Sequence, residues 1–228
     1  GIKWLSNANA IAAGLLVFFL FVVGPTVFIL STFTESIGGY LTHLPTMSFR
    51  TGVFGGSEWL NGWTIFYWAW WVSWTPFVGM FIARISKGRT IRQFVVFVIA
   101  VPSLVSFVWF SILGGAAFDL QLNEGRDMAA LVVAGLESTL FDSLRSFPLS
   151  SVTVVLAVFL IAIFFVTGAD SASIVMGVLS ENGAEEPKRG LVVFWGVATG
   201  AIAAVLLFAD GLSALQTGVI IVGFPFLM

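Results

Sequence analysis

Six apolar runs divide this chain, at 8–33, 62–83, 94–118, 152–179, 191–208 and from 212 to its last residue, 228. A helix that crosses a bilayer needs about 20 predominantly apolar residues, so five runs are long enough or nearly so and the sixth stops short. Backbone N–H and C=O groups cannot be left unpaired in hydrocarbon, and a helix closes them within one segment. The expected fold class is therefore an all-α membrane protein, with Pro25 kinking the first span. Only 10% of residues are charged and 58% are hydrophobic, whereas a soluble domain carries about 25% charged residues. Lipid is the solvent these numbers imply. A net charge of −2 gives no footing for nucleic acid, and with no cysteine and one histidine, His43, there is no disulfide framework or histidine-rich metal site.

The loops orient the spans. "RISKGRTIR" carries Arg84, Lys87, Arg89 and Arg92 without an acidic residue, which marks it as cytoplasmic. Alternation then brings Lys3, Lys188 and Arg189 to the same side, so inside loops collect seven of the ten basic residues. The connection 128–148 spaces Leu136, Leu140, Phe141 and Leu144 as on a helix and is expected to be an amphipathic helix on the outer face. A shorter one is expected at 34–45. The 228 residues read as one transmembrane domain, a piece of a larger membrane protein.

The segment "FYWAWWVSWTPF", 66–77, places Trp68, Trp70, Trp71 and Trp74 within seven residues. Tyr67, Trp71 and Trp74 share one helical face, and Trp70, Trp74, Phe77 and Phe81 form an overlapping stripe. An interfacial aromatic belt accounts for Trp59 and Trp63. It accounts less well for Trp70, Trp71 and Trp74, which lie roughly 12 to 18 Å into a helix beginning at Gly62 at 1.5 Å per residue. Core packing is one use for rings at that depth. Cation binding is the other, because indole faces attract quaternary ammonium groups and contribute about 2 kcal/mol or more when desolvated. Pro76 withholds a backbone donor and frees a carbonyl one turn back, a device transporters use near their sites.

"TIFYWAWWVSWTPFVGMFIARISKGRTIRQF", "VWFSILGGAAF" and "FFVTGADSASIVMGVLS" closely resemble the betaine/choline/carnitine transporter family. The resemblance covers most of the chain. It implies the C-terminal half of a twelve-helix, LeuT-like inverted-repeat secondary transporter, with the runs above as its seventh to twelfth helices and the N-terminal half of the same protein outside this sequence. By resemblance, Trp71 is the eighth-helix wall of an aromatic substrate box, and Trp70 and Trp74 line the path above and below it. The family's fourth helix completes the box. Phe164, Thr167 and Gly168 match a sodium site, where Gly168 replaces an expected serine and removes one hydroxyl oxygen. Phe77 matches a position near a second sodium site. The expected function is import of a compatible solute of the glycine betaine, choline or carnitine type across the plasma membrane, with sodium as coupling ion and no other cofactor. Well-known members of the family form homotrimers.

Asp170 lies near the cytoplasmic end of its span, where a structural or gating role, paired with a residue such as Arg84, is favoured over substrate binding. Gly114-Gly115 fits either a helix break or a close-packing point. An aspartyl protease would need a second intramembrane carboxylate beside Asp170, and a channel would need a pore-lining ring. Neither is legible. A non-transporting subunit and a proton-coupled or exchange carrier stay open as alternatives.

Overall fold

The structure, a computed structural model, describes residues 2–136, 138–184, 186–208, 211–223 and 225. Among them every regular element is helical. In chain order these are α1 (Ile2–Val23), α2 (Thr26–Ser48), α3 (Ser57–Trp59), a π-helix (Leu60–Ile65), α4 (Phe66–Ile85), α5 (Ile91–Leu122), α6 (Met128–Ala134), α7 (Thr139–Leu144), α8 (Ser150–Ser180), α9 (Arg189–Phe208) and α10 (Leu212–Gly223). Four of them, α1, α5, α8 and α9, are long and apolar enough to cross a membrane among the described residues, where six runs were expected. In α4 the many indoles, each with a polar N–H, dilute the hydrophobicity. Among the described residues the last run has 12 helical residues, in α10.

The chain divides into two compact units. The first comprises residues 1–45 and 92–167, the second 46–91 and 168–228. Within the first, the run expected as one kinked span is two helices, α1 and α2, broken at Gly24-Pro25. Proline brings no N–H to the ladder, and a Cβ on Gly24 would stand 2.6 Å from the Leu20 carbonyl oxygen. The Gly24 N–H closes α1 by donating to that oxygen at 2.8 Å. The Thr26 hydroxyl donates to the Phe21 carbonyl at 2.7 Å, so the frayed end of α1 is satisfied without water. Around this elbow Val17, Leu20, Ile29, Ile112, Leu144 and Ala157 form the core. Gly115 is buried against Ile29, whose Cγ1 would lie 3.3 Å from an added Cβ, while α5 runs unbroken through both glycines. The glycine pair is thus a close-packing point at Gly115 and not a break.

The amphipathic helix expected at 128–148 is also two pieces, α6 and α7. The Asp127 carboxylate caps α6 by accepting from the Ala130 N–H at 2.9 Å. At its other end the Gly135 carbonyl accepts from the hydroxyls of Ser138 and Thr139, at 3.0 and 3.1 Å. Side-chain donors thereby take over a carbonyl that a continuous helix would use. Leu140, Phe141 and Leu144 still reach the core, whereas Leu136, in the break, is exposed.

In the second unit α4 and α10 meet where Gly223 lies against Ala69. A Cβ on Gly223 would stand 2.8 Å from the Ala69 carbonyl oxygen. The loop after α8 folds back through left-handed Asn182 and Gly183, with φ of 56° and 88°. It is held by Glu181, which accepts from the Lys188 backbone N–H at 2.8 Å and lies 3.2 Å from the Lys188 ammonium. The Lys188 backbone hydrogen bond, aided by the ammonium, holds the Glu181 carboxyl below its ordinary value.

Two outcomes follow from these contacts. Gly223→Ala should destabilise the detergent-solubilised protein by about 1–3 kcal/mol through overpacking. Gly218→Ala on the same helix meets nothing within 4 Å and should be neutral or stabilising by up to about 1 kcal/mol; thermal melts of the two compare them. The Glu181 contribution is complete above the unfolded carboxyl's pKa and is lost as pH falls through the depressed folded value. Hydrogen exchange at Lys188, corrected for its intrinsic pH dependence, should therefore accelerate in that acidic window and lose this pH dependence in Glu181→Gln.

Candidate functional site

The tryptophan helix begins in a π-helical turn, in which the Phe66 N–H reaches back five residues to the Asn61 carbonyl. A wide turn of this kind advances the side chains less per residue than an α-turn does. The result is a ring cluster along the start of α4. Trp63 stacks on Tyr67, with centroids 5.7 Å apart and planes 5° from parallel. Phe66 and Tyr67 each contact Trp70, at 5.8 and 5.7 Å.

Ala69 is buried and faces α10. At about 100° per residue, Trp71 lies about 200° round the axis from it, with Tyr67 and Trp74 near 160° and 140° and Trp70 near 100°. The aromatic arc is therefore the face of α4 turned away from its own neighbour. Trp71 is 73% exposed and Trp70 40%. Among the described residues Trp71 enters no ring contact, while Trp70 is held in the Phe66–Tyr67 cluster. The three expected substrate residues thus separate: Trp71 presents an open indole, Trp70 is part of the packing that fixes the helix surface, and Trp74 is half-exposed on the same arc.

The helix backbone here is modified twice. The hydroxyls of Ser73 and Thr75 bond back to the carbonyls of Trp70 and Trp71, at 2.8 and 3.3 Å. Pro76 brings no N–H to the carbonyl of Val72 one turn earlier. Consecutive carbonyls on this turn are thus either doubly engaged or short of their helical donor. The side chains of Pro76 and Phe77 lie outside the described residues, as does that of Arg84, the partner considered for Asp170. Asp170 itself is half-buried on α8.

The residues expected to hold sodium sit on α8, which is continuous through them. The Thr167 hydroxyl donates back to the carbonyls of Ile163 and Phe164, both at 3.0 Å. Its proton is engaged, so towards any ligand it acts as an acceptor, which suits a hard cation. Phe164 is 74% exposed. A Cβ on Gly168 would meet nothing within 4 Å, so the missing hydroxyl is not a packing requirement. Phe164 and Thr167 both line a cavity of about 550 Å³ in the first unit, formed with α1, α5 and α7. Ser6 and Asn9 of α1 enter the same cavity. Sequence reasoning missed them, although two polar residues spaced i, i+3 at the edge of an apolar run are a visible signal.

An all-helical chain with several membrane-crossing helices and an aromatic helix face defines a multi-pass membrane protein. Its sequence matches the family described as BCCT, betaine/carnitine/choline family transporter, over residues 1–228. The chain belongs to that family. It is 49% identical over 228 residues to the glycine betaine transporter OpuD of Bacillus subtilis, covering 99% of this chain and 44% of the relative. It is 42% identical over 226 residues to the ectoine/hydroxyectoine transporter of Virgibacillus pantothenticus, covering 99% and 45%. To the glycine betaine/proline/choline transporter of Vibrio parahaemolyticus it is 40% identical over 229 residues, covering 99% and 40%. The chain thus spans less than half the length of each of these relatives.

The difference between the two central indoles is measurable. Trp70→Leu removes a ring from a packed cluster and should destabilise the protein by about 1–3 kcal/mol. Trp71→Leu should stay within about 0.5 kcal/mol of the parent, and thermal melts of the two variants in one detergent make the comparison.

Proposed function

We propose that the full-length protein is a secondary transporter that carries a compatible solute with a quaternary ammonium group, of the glycine betaine type, inward across the plasma membrane. The observation that carries this reading is the open indole of Trp71, on the face of α4 turned away from α10. An exposed indole offers its π-face to a weakly hydrated cation, and two of the similar transporters are named for glycine betaine, one of them also for choline and proline. Trp74 flanks the path, Trp70 supports it, and aromatic residues from the part of the protein beyond this chain close the box. The inverted-repeat, LeuT-like frame is the architecture in which such a half-site works, because alternating access exposes one central site to each side in turn.

Sodium is proposed as the coupling ion, held in part by the hydroxyl oxygen of Thr167, with Phe164 beside it. One observation favours a second reading. Gly168 offers no side-chain oxygen although space for one is present, which suits a carrier coupled to protons or working by exchange.

Uptake of labelled glycine betaine by cells lacking their own osmolyte carriers tests both. The expected result is saturable uptake that collapses when potassium replaces sodium. Trp71→Leu should raise KM by about tenfold or more, since loss of roughly 1.4 kcal/mol of binding is one decade. Saturable uptake indifferent to sodium would replace the first coupling reading by the second. An unchanged KM in Trp71→Leu would remove Trp71 from the substrate site.

A further inference from the structure

The solute proposed above carries two charges, and Trp71 answers only one of them. An indole face meets the quaternary ammonium group, but the carboxylate that glycine betaine holds one methylene away needs hydrogen-bond donors. No lysine or arginine can supply them from the tryptophan helix, because no residue from Trp59 to Ala83 is charged. Beyond the first turn the backbone N–H groups of a helix are committed to its own ladder. The hydroxyls of Ser73 and Thr75 donate to the Trp70 and Trp71 carbonyls. On the aromatic arc of α4 that leaves the indole N–H groups and the hydroxyl of Tyr67. An indole N–H lies in the plane of its ring, so that of Trp71 does not point towards a solute seated on the ring face.

Tyr67 is fixed from several sides. It stacks on Trp63, meets Phe66 edge to face with centroids 5.3 Å apart, and contacts Trp70 at 5.7 Å. A ring packed in this way gives its hydroxyl a defined position before any solute arrives, so little ordering entropy is lost on binding. The side chain is still 39% exposed, and its hydroxyl has no hydrogen-bond partner among the described residues. Side chains four apart on a helix have Cβ atoms about 5–6 Å from one another. The unpartnered donor therefore stands one turn from the open indole of Trp71 and on the same side of α4. That spacing suits a small solute whose cationic and anionic groups are neighbours.

We propose that the Tyr67 hydroxyl donates a hydrogen bond to the carboxylate of the solute while Trp71 holds its ammonium group. Tyr67 thereby orients the molecule and favours zwitterions over simple cations such as choline, because a hydrogen bond to a charged acceptor is about twice as strong as one to a neutral group. The inference rests on the quaternary-ammonium reading above and deepens it by naming what takes the other end of the solute.

The test uses the full-length protein in cells lacking their own osmolyte carriers, with labelled glycine betaine uptake measured against unlabelled choline as competitor. Tyr67→Phe keeps the ring and its three contacts and removes only the O–H. It should raise KM for glycine betaine by about tenfold, equivalent to roughly 1.4 kcal/mol, and change the inhibition constant of choline by less than about twofold, with the melting temperature of the purified variant unchanged. A merely structural role would move both solutes together or lower the melting temperature, and either result would overturn the proposal. An unchanged KM in Tyr67→Phe, beside a raised KM in Trp71→Leu, would overturn it alone and leave the ammonium site in place. Saturable uptake with KM unchanged in both variants would overturn it together with the substrate reading it rests on.

Discussion

Backbone hydrogen bonding without water governs this molecule. Inside hydrocarbon, each N–H and C=O must find its partner in its own segment, and α8 does so over 31 residues, while α5 carries Pro102 within its 32. The informative places are where the ladder is interrupted. At Gly24-Pro25 the chain turns from one helix to another, and the Thr26 hydroxyl takes up a stranded carbonyl. At Gly135 the hydroxyls of Ser138 and Thr139 do the same. At Pro76 the ladder loses a donor beside the tryptophans. Two of these interruptions border the packed core of the first unit, and the third lies on the tryptophan helix itself.

The apolar runs made the class of fold legible, because hydrophobic length is a property of sequence alone. The ends of the elements were less so. Pro25 announced a disturbance, but a kink and a full break differ by whether local acceptors are satisfied, and that depends on Gly24 fitting against the Leu20 carbonyl and on the reach of Thr26. The stripe from Leu136 to Leu144 had helical spacing, yet Gly135 and two neighbouring hydroxyls divided it. Periodicity reports which faces are apolar, and says little about where side chains compete for backbone carbonyls. Gly115 could be understood only once Ile29 was found opposite it.

The candidate site was legible to a similar depth. Indoles spaced along one helix were evident, but which of them packs and which stays open depends on neighbours distant in sequence or on the phase of the turn before them. Trp70 and Trp71 are adjacent and chemically identical, and the ring contacts of Phe66 and Tyr67 separate their roles. Asn9 was overlooked because it lies near the start of an apolar run, where polar residues attract little notice. Only the cavity brings it to the same wall as Thr167.

The π-helix at Leu60–Ile65 bears on which changes of length the aromatic face tolerates. A π-turn holds about one residue more than an α-turn in the same rise. Removing one residue there would let the segment relax into a regular α-helix with the elements on either side still in phase. Adding one finds no such outlet within the helix and would turn what precedes it by about 100° relative to α4. Trp63 would then leave its stack on Tyr67, and Leu60 its buried position beside Gly52. The wide turn therefore absorbs a deletion where it resists an insertion.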